Sequence, residues 1–220
     1  MKPLKSEVTD SNTLEELGRA SVQIVHDLKN QLNGLKLYAT FLRKRMEKAE
    51  RPEDERETVA KLIQGLERAA SDMTTLVRLG RPVELRRQAG VNLLNLLSEV
   101  ANGALAGSDD EAVALEGEFD QAALGEAFKA IHAGARALSP RGAEDETIEV
   151  SIKRDESEPV PQALIEWRGL QTATDPFHSY AGSDAIRMSL AAKIIEAHGG
   201  EARFEADTLS VRLPIEKQKD

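Results

Sequence analysis

The sequence predicts an α+β fold in which an N-terminal helical hairpin is followed by an α/β sandwich. Between Thr13 and Gly80, apolar residues recur at steps of three and four, which is the period of an amphipathic helix. Beyond Pro82, short alternating segments and helical segments follow one another, as in a sandwich with helices on one face of a mixed sheet. Aromatic residues make up only 4% of the chain, so aliphatic side chains must fill both cores.

The first predicted helix begins at Thr13 and runs to about residue 50. Thr13 and Glu16 have the spacing of a capping box, which satisfies backbone amides at a helix start. The apolar stripe of this helix consists of Leu17, Ile24, Leu28, Leu32, Leu35, Phe41 or Leu42, and Met46. The helix ends at residues 50–54, because the proline there cannot continue it.

A second predicted helix follows residue 54 and ends at Gly80-Arg81-Pro82, the usual glycine and proline stop signals. Its apolar stripe consists of Val59, Leu62, Ile63, Leu66, Ala70, Met73, Leu76 and Val77. Stripes this wide leave apolar surface uncovered on a single hairpin. Pairing two hairpins into a four-helix bundle buries that surface, so we expect a homodimer through residues 13–79. The alternative is that the hairpin packs on the C-terminal part of its own chain.

The second half of the chain is predicted from alternation and from helix caps. Asp120 is placed to cap a helix, and Gly199-Gly200 closes the last helix. The predicted helices are 92–105, 122–138 and 183–198, and the predicted strands are 83–86, 112–119, 147–153, 163–167, 203–205 and 209–213. We therefore divide the chain into a polar tail at 1–12, the helical hairpin at 13–80, the sandwich at 81–214 and a second tail at 215–220.

Composition excludes several classes of function. The net charge of -9 argues against nucleic-acid binding, because phosphate backbones attract basic surfaces. The chain has no cysteine, which excludes disulfides and thiolate metal sites. No run of apolar residues is long enough for membrane insertion, and the first residues do not resemble a signal peptide. We expect a cytoplasmic protein that receives any signal through a partner.

The stretch 24–32, Ile-Val-His-Asp-Leu-Lys-Asn-Gln-Leu, carries the most chemistry. On a helix, His26 and Asn30 share a face about 6 Å apart, and His26 is nearly opposite Leu28. We therefore expect His26 to face solvent, where a neutral imidazole nitrogen is a competent nucleophile towards a phosphoryl group. The alternative is an exposed helix histidine with ordinary polar neighbours.

Three neighbours of His26 have side chains suited to that chemistry. Asp27 could accept the proton of the other ring nitrogen or orient the ring. Lys29 could hold phosphate oxygens by charge. Asn30 could donate a hydrogen bond to the phosphoryl group or orient an attacking water.

The run from His26 to Leu32 resembles the H-box of two-component histidine kinases, H-[ED]-[IL]-[KR]-N-P-L, with Gln31 in place of the proline. The resemblance implies that His26 is phosphorylated and exchanges its phosphoryl group with an aspartate of a response regulator receiver domain. In that family the acid-x-x-[Thr/Asn] part, here Asp27 and Asn30, serves receiver dephosphorylation. Gln31 predicts a straighter helix after the histidine.

The second half of the chain resembles the ATP-binding domain of the same family. The residues from Ile194 to Gly200 match the helix end R-I-V-E-A-H-G-G, and those from Asp175 to Tyr180 resemble the F-box. Asp120 also stands where the family has an acid before a helix. The resemblance covers about residues 13–214 and implies the corresponding fold.

The nucleotide-binding residues of that family are missing here. Ala130 and Gly134 stand at the two asparagine positions of the N-box. Residues 168–172, which follow a predicted strand, lack the adenine-binding aspartate. Residues 183–187 have no glycine where phosphates would lie, and Asp184 adds a negative charge. The resemblance thus implies a degenerate domain that does not bind ATP in the family's way.

These observations predict a dimeric histidine phosphotransfer protein, similar to known dimeric phosphotransferases that keep the H-box and lose the nucleotide boxes. We expect no cofactor on its own residues and Mg²⁺ on the partner receiver domain. His132 and His178 lack paired ligands, so no metal site is expected, and Trp167 is expected in the core. The alternatives are a kinase with atypical nucleotide binding or one phosphorylated by a partner kinase, a receiver phosphatase, and a non-catalytic adaptor.

Overall fold

The computed structural model of this chain forms two compact units, residues 1–82 and residues 83–220. The structure describes residues 21, 25, 28–46, 53–101, 105, 115–139, 148–157, 159–172, 174–179 and 182–216. The predicted α+β fold is confirmed: the first unit is helical, and the second combines helices with antiparallel strands.

The first unit contains two long helices. Helix α1 is helical over residues 28–46, and α2 spans Glu53–Leu79. An ion pair of 2.9 Å between Lys36 Nζ and Glu67 Oε1 joins the two helices. Ala39 and Ile63 are buried. The predicted capping box of Thr13 and Glu16 and the stripe residues Leu17 and Ile24 lie outside the described residues.

The ends of α2 follow elementary electrostatics and capping. Its first turn carries Glu53, Asp54 and Glu55, whose carboxylates stabilise the positive end of the helix dipole. At its other end, the Gly80 amide donates to the Leu76 carbonyl at 3.0 Å, and Pro82 follows. The predicted stop at residues 80–82 is therefore confirmed.

The second unit begins with a two-stranded antiparallel sheet of β1, Gln88–Asn92, and β2, Glu116–Phe119. The predicted strand at 83–86 is wrong, because residues 82–87 have no regular structure and pairing begins at Gln88 opposite Phe119. The Arg86 amide instead donates to the Asp120 carboxylate at 2.8 Å. That hydrogen bond takes the donor that a strand ladder would have used.

Two capped helices frame this small sheet. Helix α3 spans Leu93–Val100, and the Asn92 side chain accepts from the Asn95 amide at 3.2 Å. Helix α4 spans Gln121–Leu138, with Asp120 as the predicted N-cap, accepting from the Ala123 amide at 3.0 Å. Of the predicted extensions of α3 and β2, residues 102–104 and 112–114 lie outside the described residues.

The larger sheet has four strands in the order β3-β4-β6-β5. These are β3, Glu149–Asp155, β4, Gln162–Arg168, β5, Glu201–Glu205, and β6, Thr208–Pro214. Every pairing in the described residues is antiparallel, so the expectation of a mixed sheet is wrong. Strand β6 lies between β4 and β5 and is antiparallel to both.

Helices α4 and α5, Ser183–Ala197, pack against each other in the core of the second unit. Trp167 is fully buried, as predicted, with its ring centroid 6.5 Å from that of Phe128. The largest fully buried side chains also include Phe119, Leu124, Ile131, Met188, Ile194, Ile195 and Leu209. Among the described residues, no helix has both the length and the apolarity that crossing a membrane requires.

Candidate functional site

Two of the four residues of the predicted phosphoacceptor region, Lys29 and Asn30, lie on α1. His26 and Asp27 lie outside the described residues, whereas Lys29 is partly buried and Asn30 is exposed on the helix. The spacing of four residues still predicts that His26 and Asn30 share one face. The joint action of these four residues stays a prediction.

One face of α1 carries leucines at seven-residue intervals. Leu28, Leu35 and Leu42, here called the leucine seam, are 41%, 54% and 53% exposed. Residues seven apart lie on nearly the same line of a helix. The chain therefore presents a continuous apolar line that its own hairpin leaves largely uncovered.

A different face of α1 carries two more exposed apolar side chains. Leu37 and Phe41 are 55% and 57% exposed, and they lie four residues apart, on the side of the helix that Asn30 occupies. Gly34 lies between them and Asn30, and a Cβ added to it would meet no heavy atom within 4 Å. We call the surface formed by Asn30, Gly34, Leu37 and Phe41 the Gly34 notch.

The N-box asparagine that the resemblance implies at position 134 is replaced by a glycine, which lies where α4 packs against α5. Gly134 is buried on α4, directly under the side chain of Met188 on α5. A Cβ at position 134 would collide with the Met188 Sδ and lie 2.8 Å from its Cγ. Met188 is itself fully buried, so it has little room to withdraw. A side chain at position 134 therefore requires the core to rearrange.

Two backbone amides of the segment after β4 donate hydrogen bonds within the second unit. Leu170 is buried, and its amide donates to the Asp207 carbonyl at 2.9 Å. The next amide, that of Gln171, donates to the Leu138 carbonyl at 2.8 Å. Gly169, with φ of 82°, makes the bend that leads into these bonds. This segment presents an apolar side chain where the resemblance would require an adenine-binding carboxylate.

The start of α5 carries negative charge. Its N-cap is Gly182, which has no side chain to offer a capping hydrogen bond, and Asp184 lies exposed in the first turn. Arg187 is 3.6 Å from the Asp184 carboxylate, and both side chains are largely exposed. The carboxylate stabilises the helix start and disfavours an anion there.

The F-box-like residues form a compact turn. Asp175 Oδ1 accepts from the Phe177 amide at 2.9 Å, and its Oδ2 is 2.8 Å from His178 Nδ1. Phe177 is buried, and Tyr180 lies outside the described residues. His178 is thus held by a carboxylate within a turn. Among the described residues, no three His, Asp or Glu side chains come together as a metal ion would require.

The sequence drew attention to Asp120 and His198 separately, and the structure brings them together. His198 is buried, its Nδ1–H donates to the Ile194 carbonyl at 2.8 Å, and its Nε2 accepts from the Asp120 amide at 3.0 Å. Burial lowers the pKa of His198, although the Ile194 hydrogen bond opposes that effect. Backbone hydrogen bonds from Ala123 and Arg86 lower the pKa of Asp120. This contact joins the end of α5 to the start of α4, so its role is structural.

His132 is partly buried on α4, and its Nδ1 is buried without a hydrogen-bond partner among the described residues. Burial lowers the pKa of His132, and the charge of Arg136 lowers it further. The neutral imidazole is therefore the favoured form in the folded protein. Nothing in its surroundings makes His132 a second phosphoacceptor candidate.

A groove of about 610 Å³ opens between β1, α3 and the first half of α4. Leu96, Val100 and Gly125 contribute to its lining, with charged groups around them. Ala130 and Gly134 are not part of it.

Solved structures of similar fold are histidine kinases. The Acinetobacter baumannii histidine kinase AdeS superposes with a TM-score of 0.52 at 13% identity, covering 87% of this chain and 98% of that one. The chain has the histidine kinase fold. A Burkholderia phymatum STM815 histidine kinase gives a TM-score of 0.38 at 16% identity, with 97% of each chain covered. The catalytic domain of histidine kinase ThkA gives 0.41 at 16% identity, covering 60% of this chain and 96% of its own.

No protein-family model matches the sequence, and no curated protein matches it. The AdeS superposition confirms the predicted histidine kinase-like fold, and the H-box interpretation stays a prediction. The identities are too low to carry a function from one chain to the other.

Proposed function

We propose that this chain is a two-component signalling protein that transfers phosphoryl groups between His26 and receiver-domain aspartates without using ATP. The observation that carries the proposal is Met188 filling the space above Gly134 within a histidine kinase fold. The H-box residues are kept, while the position that the resemblance assigns to an N-box asparagine is a glycine covered by Met188. That combination suits a relay of phosphoryl groups made elsewhere.

The transfer needs few protein groups. A ring nitrogen of His26 attacks the phosphorus of a receiver aspartyl phosphate, the new P–N bond forms, and the carboxylate leaves with the P–O electron pair. Asp27 accepts a hydrogen bond from the other ring nitrogen and fixes the tautomer. Lys29 and Asn30 stabilise the phosphoryl oxygens by charge and by an amide donor. The Mg²⁺ that neutralises the transferred charge belongs to the receiver domain in this proposal.

Three features support the lack of ATP use. An asparagine at position 134 would collide with Met188, and the stretch after β4 holds buried Leu170 in place of a carboxylate. Residues 83–220 also carry 14 Lys and Arg against 25 Asp and Glu, a net charge of -11. This net negative charge would repel a nucleoside triphosphate, which is also negatively charged.

The leucine seam supports the homodimer. Burying a leucine fully stabilises by roughly 1.5–3 kcal/mol, so half-burying three on each of two chains gives about 5–9 kcal/mol. That gross gain is comparable with the cost of bringing two chains together, about 4–15 kcal/mol. Leu62 on α2 is also exposed, at 52%. We therefore propose a four-helix bundle of two hairpins.

The test offers the full chain ATP labelled on the γ-phosphate and, separately, a receiver domain labelled on its aspartate. We expect acid-labile label on His26 from the receiver and none from ATP. His26→Gln should abolish labelling, whereas the control His178→Gln, at an exposed histidine of the second unit, should leave it intact. Labelling from ATP alone would show instead a kinase with atypical nucleotide binding. No labelling from either donor would favour an adaptor.

Receiver phosphatase activity is the second candidate, because Asn30 is exposed where the family places a water-positioning amide. In that case Asn30→Ala should slow receiver dephosphorylation, and His26→Ala should not. Measuring inorganic phosphate release with each variant separates the two activities. Loss of release in His26→Ala alone would assign it to the transfer reaction running through the histidine.

A further inference from the structure

The groove between β1, α3 and the first half of α4, here called the α3–α4 groove, has one wall from each helix. Leu96 and Val100 of α3 lie four residues apart, and Gly125 and Lys129 of α4 have the same spacing. Residues four apart share a helix face, so each wall follows the axis of its helix. The volume of about 610 Å³ equals that of about 20 water molecules and lies in the range of small-molecule sites.

Gly125 leaves space in the α4 wall of the groove. Glycine weakens the interior of a helix more than any residue except proline. A Cβ added at position 125 would meet no heavy atom within 4 Å, so no packing in the second unit requires the glycine. Leu96 and Val100 supply apolar surface on the α3 wall. The groove therefore has room for one apolar side chain of a ligand.

Three charged side chains of the groove form no ion pair or hydrogen bond with another described residue. They are Glu99 of α3, Lys129 of α4 and Arg86, which precedes β1, and all three are exposed. The two other carboxylates of the lining already have partners. Asp120 accepts from two backbone amides, and Glu126 takes part in a contact of its own. The groove therefore offers an anion on one wall and a cation on the other.

A ligand that covers the groove must bring charges of both signs. An uncharged ligand would take Glu99 and Lys129 out of water without a partner, which is costly. An anion alone would leave Glu99 unpaired and would also meet the net charge of -11 on residues 83–220. A cation alone would leave Lys129 unpaired. Arg86 has a long side chain, whose guanidinium group can stay in water beside a bound ligand.

The separation of the two charges selects the size of the ligand. In a free amino acid the ammonium and carboxylate groups are attached to one carbon atom, whereas Glu99 and Lys129 lie on different helices. A tripeptide separates its two termini by up to about 10 Å and carries a side chain between them. A short peptide therefore matches both the charges and the space at Gly125.

We propose that the α3–α4 groove binds a short peptide with free termini, whose ammonium group pairs with Glu99, whose carboxylate pairs with Lys129 and whose apolar side chain lies over Gly125. The site lies within the second unit and is independent of the phosphoryl chemistry at His26. The same groups could receive a free amino acid or an internal segment of a protein, and the experiment distinguishes these sources.

The central experiment titrates the full chain by calorimetry with three synthetic tripeptides, Ala-Leu-Ala, Ala-Phe-Ala and Ala-Val-Ala. We expect at least one to bind with a Kd on the order of 0.1 mM. Acetylating its amino end or amidating its carboxyl end removes one charge, and each change should weaken binding about fivefold. Free leucine should bind at least tenfold more weakly than the tripeptide.

Two charge variants assign each end of the peptide to its wall. Glu99→Gln should weaken the free tripeptide about fivefold and make binding insensitive to acetylation of its amino end. Lys129→Gln should act in the same way for amidation of the carboxyl end. The matched controls Glu196→Gln and Lys153→Gln make the same charge changes elsewhere on the second unit, and both should leave binding unchanged.

Substitutions of Gly125 test the space in the groove. Gly125→Leu should weaken the tripeptide at least tenfold, because its side chain takes the place of the ligand's. Gly65→Leu adds the same side chain in open space on α2 and should not affect binding. Gly125→Ala should raise the melting temperature by about 2–6 °C and still weaken binding about threefold. A loss of affinity in a more stable protein excludes unfolding as its cause.

Four results would overturn the proposal. The first is no binding of any of the three tripeptides at 10 mM, roughly a hundredfold above the expected Kd. The second is equal binding of a tripeptide blocked at both ends, since the groove would then take internal protein segments. The third is equally tight binding of free leucine, which would assign the groove to an amino acid. The fourth is binding that Glu99→Gln and Gly125→Leu leave unchanged, because the peptide would then lie elsewhere.

Discussion

The contact between Gly134 and Met188 predicts that Gly134→Ala destabilises the unmodified protein but stabilises the Met188→Ala protein. Met188→Ala alone empties a buried site and should cost about 3 kcal/mol of unfolding free energy. Gly134→Ala alone places a methyl group into Met188, an overpacking cost of about 1–3 kcal/mol, against about 1 kcal/mol gained in helix propensity. The single Gly134→Ala protein should therefore be destabilised by up to about 2 kcal/mol.

In the Met188→Ala background the same methyl group has room. It then gains the helix propensity of about 1 kcal/mol and the burial of one methyl group, about 0.8 kcal/mol. Gly134→Ala should thus stabilise the Met188→Ala protein by about 1–2 kcal/mol, and the coupling energy between the two sites should be about 2–3 kcal/mol.

Urea unfolding provides the assay, because Trp167 is the only tryptophan and is fully buried in the same unit. Its fluorescence reports the unfolding of this core in the unmodified protein, the two single variants and the double variant. Equal effects of Gly134→Ala in the two backgrounds would refute the claim that Met188 fills the space above Gly134. Gly125 does not contact Met188, so Gly125→Ala should change the unfolding free energy by the same amount with and without Met188→Ala.

Three further predictions concern other contacts. The pKa values of His198 and His132 are both lowered in the folded state, so the unfolded chain binds more protons, and stability should fall as pH drops below about 6.5. In urea unfolding at several pH values, His198→Gln should make the free energy of unfolding depend less on pH. An unchanged pH dependence in that variant would count against a buried neutral imidazole at position 198. Asp120→Ala should cost about 1–2 kcal/mol of unfolding free energy through loss of the α4 cap, whereas Asp184→Ala should cost less than half of that. Leu35→Glu should shift the protein from dimer to monomer in sedimentation, whereas Leu37→Glu should not; a dimer that persists in Leu35→Glu would rule out the leucine seam as the contact.

Local chemistry made parts of the fold predictable. The α4 start was predictable because Asp120 has a short polar side chain directly before an apolar-periodic run, and capping depends only on neighbours in sequence. The end of α2 was predictable for the same reason. The apolar stripes of α1 and α2 predicted helices because they repeat regularly, at steps of three and four residues, over a long stretch of sequence.

Contacts distant in sequence were not predictable in this way. Val83 and Leu85 alternate with charged residues like a strand, but the Arg86 amide bonds to Asp120, 34 residues away. Strand direction in the large sheet depends on how β6 returns beside β4, which alternation does not encode. Gly134 revealed a missing asparagine in the sequence, while the methionine that covers it, on another helix, became visible only in the structure.

The buried methionine also restricts which side chains position 134 can accept. Introducing an asparagine at position 134 in one step would force a larger side chain into Met188, so that step would lower stability. A smaller residue at position 188 would have to come first, and that change alone leaves a cavity. Both single steps are therefore disfavoured, and selection for stability alone would keep asparagine out of position 134.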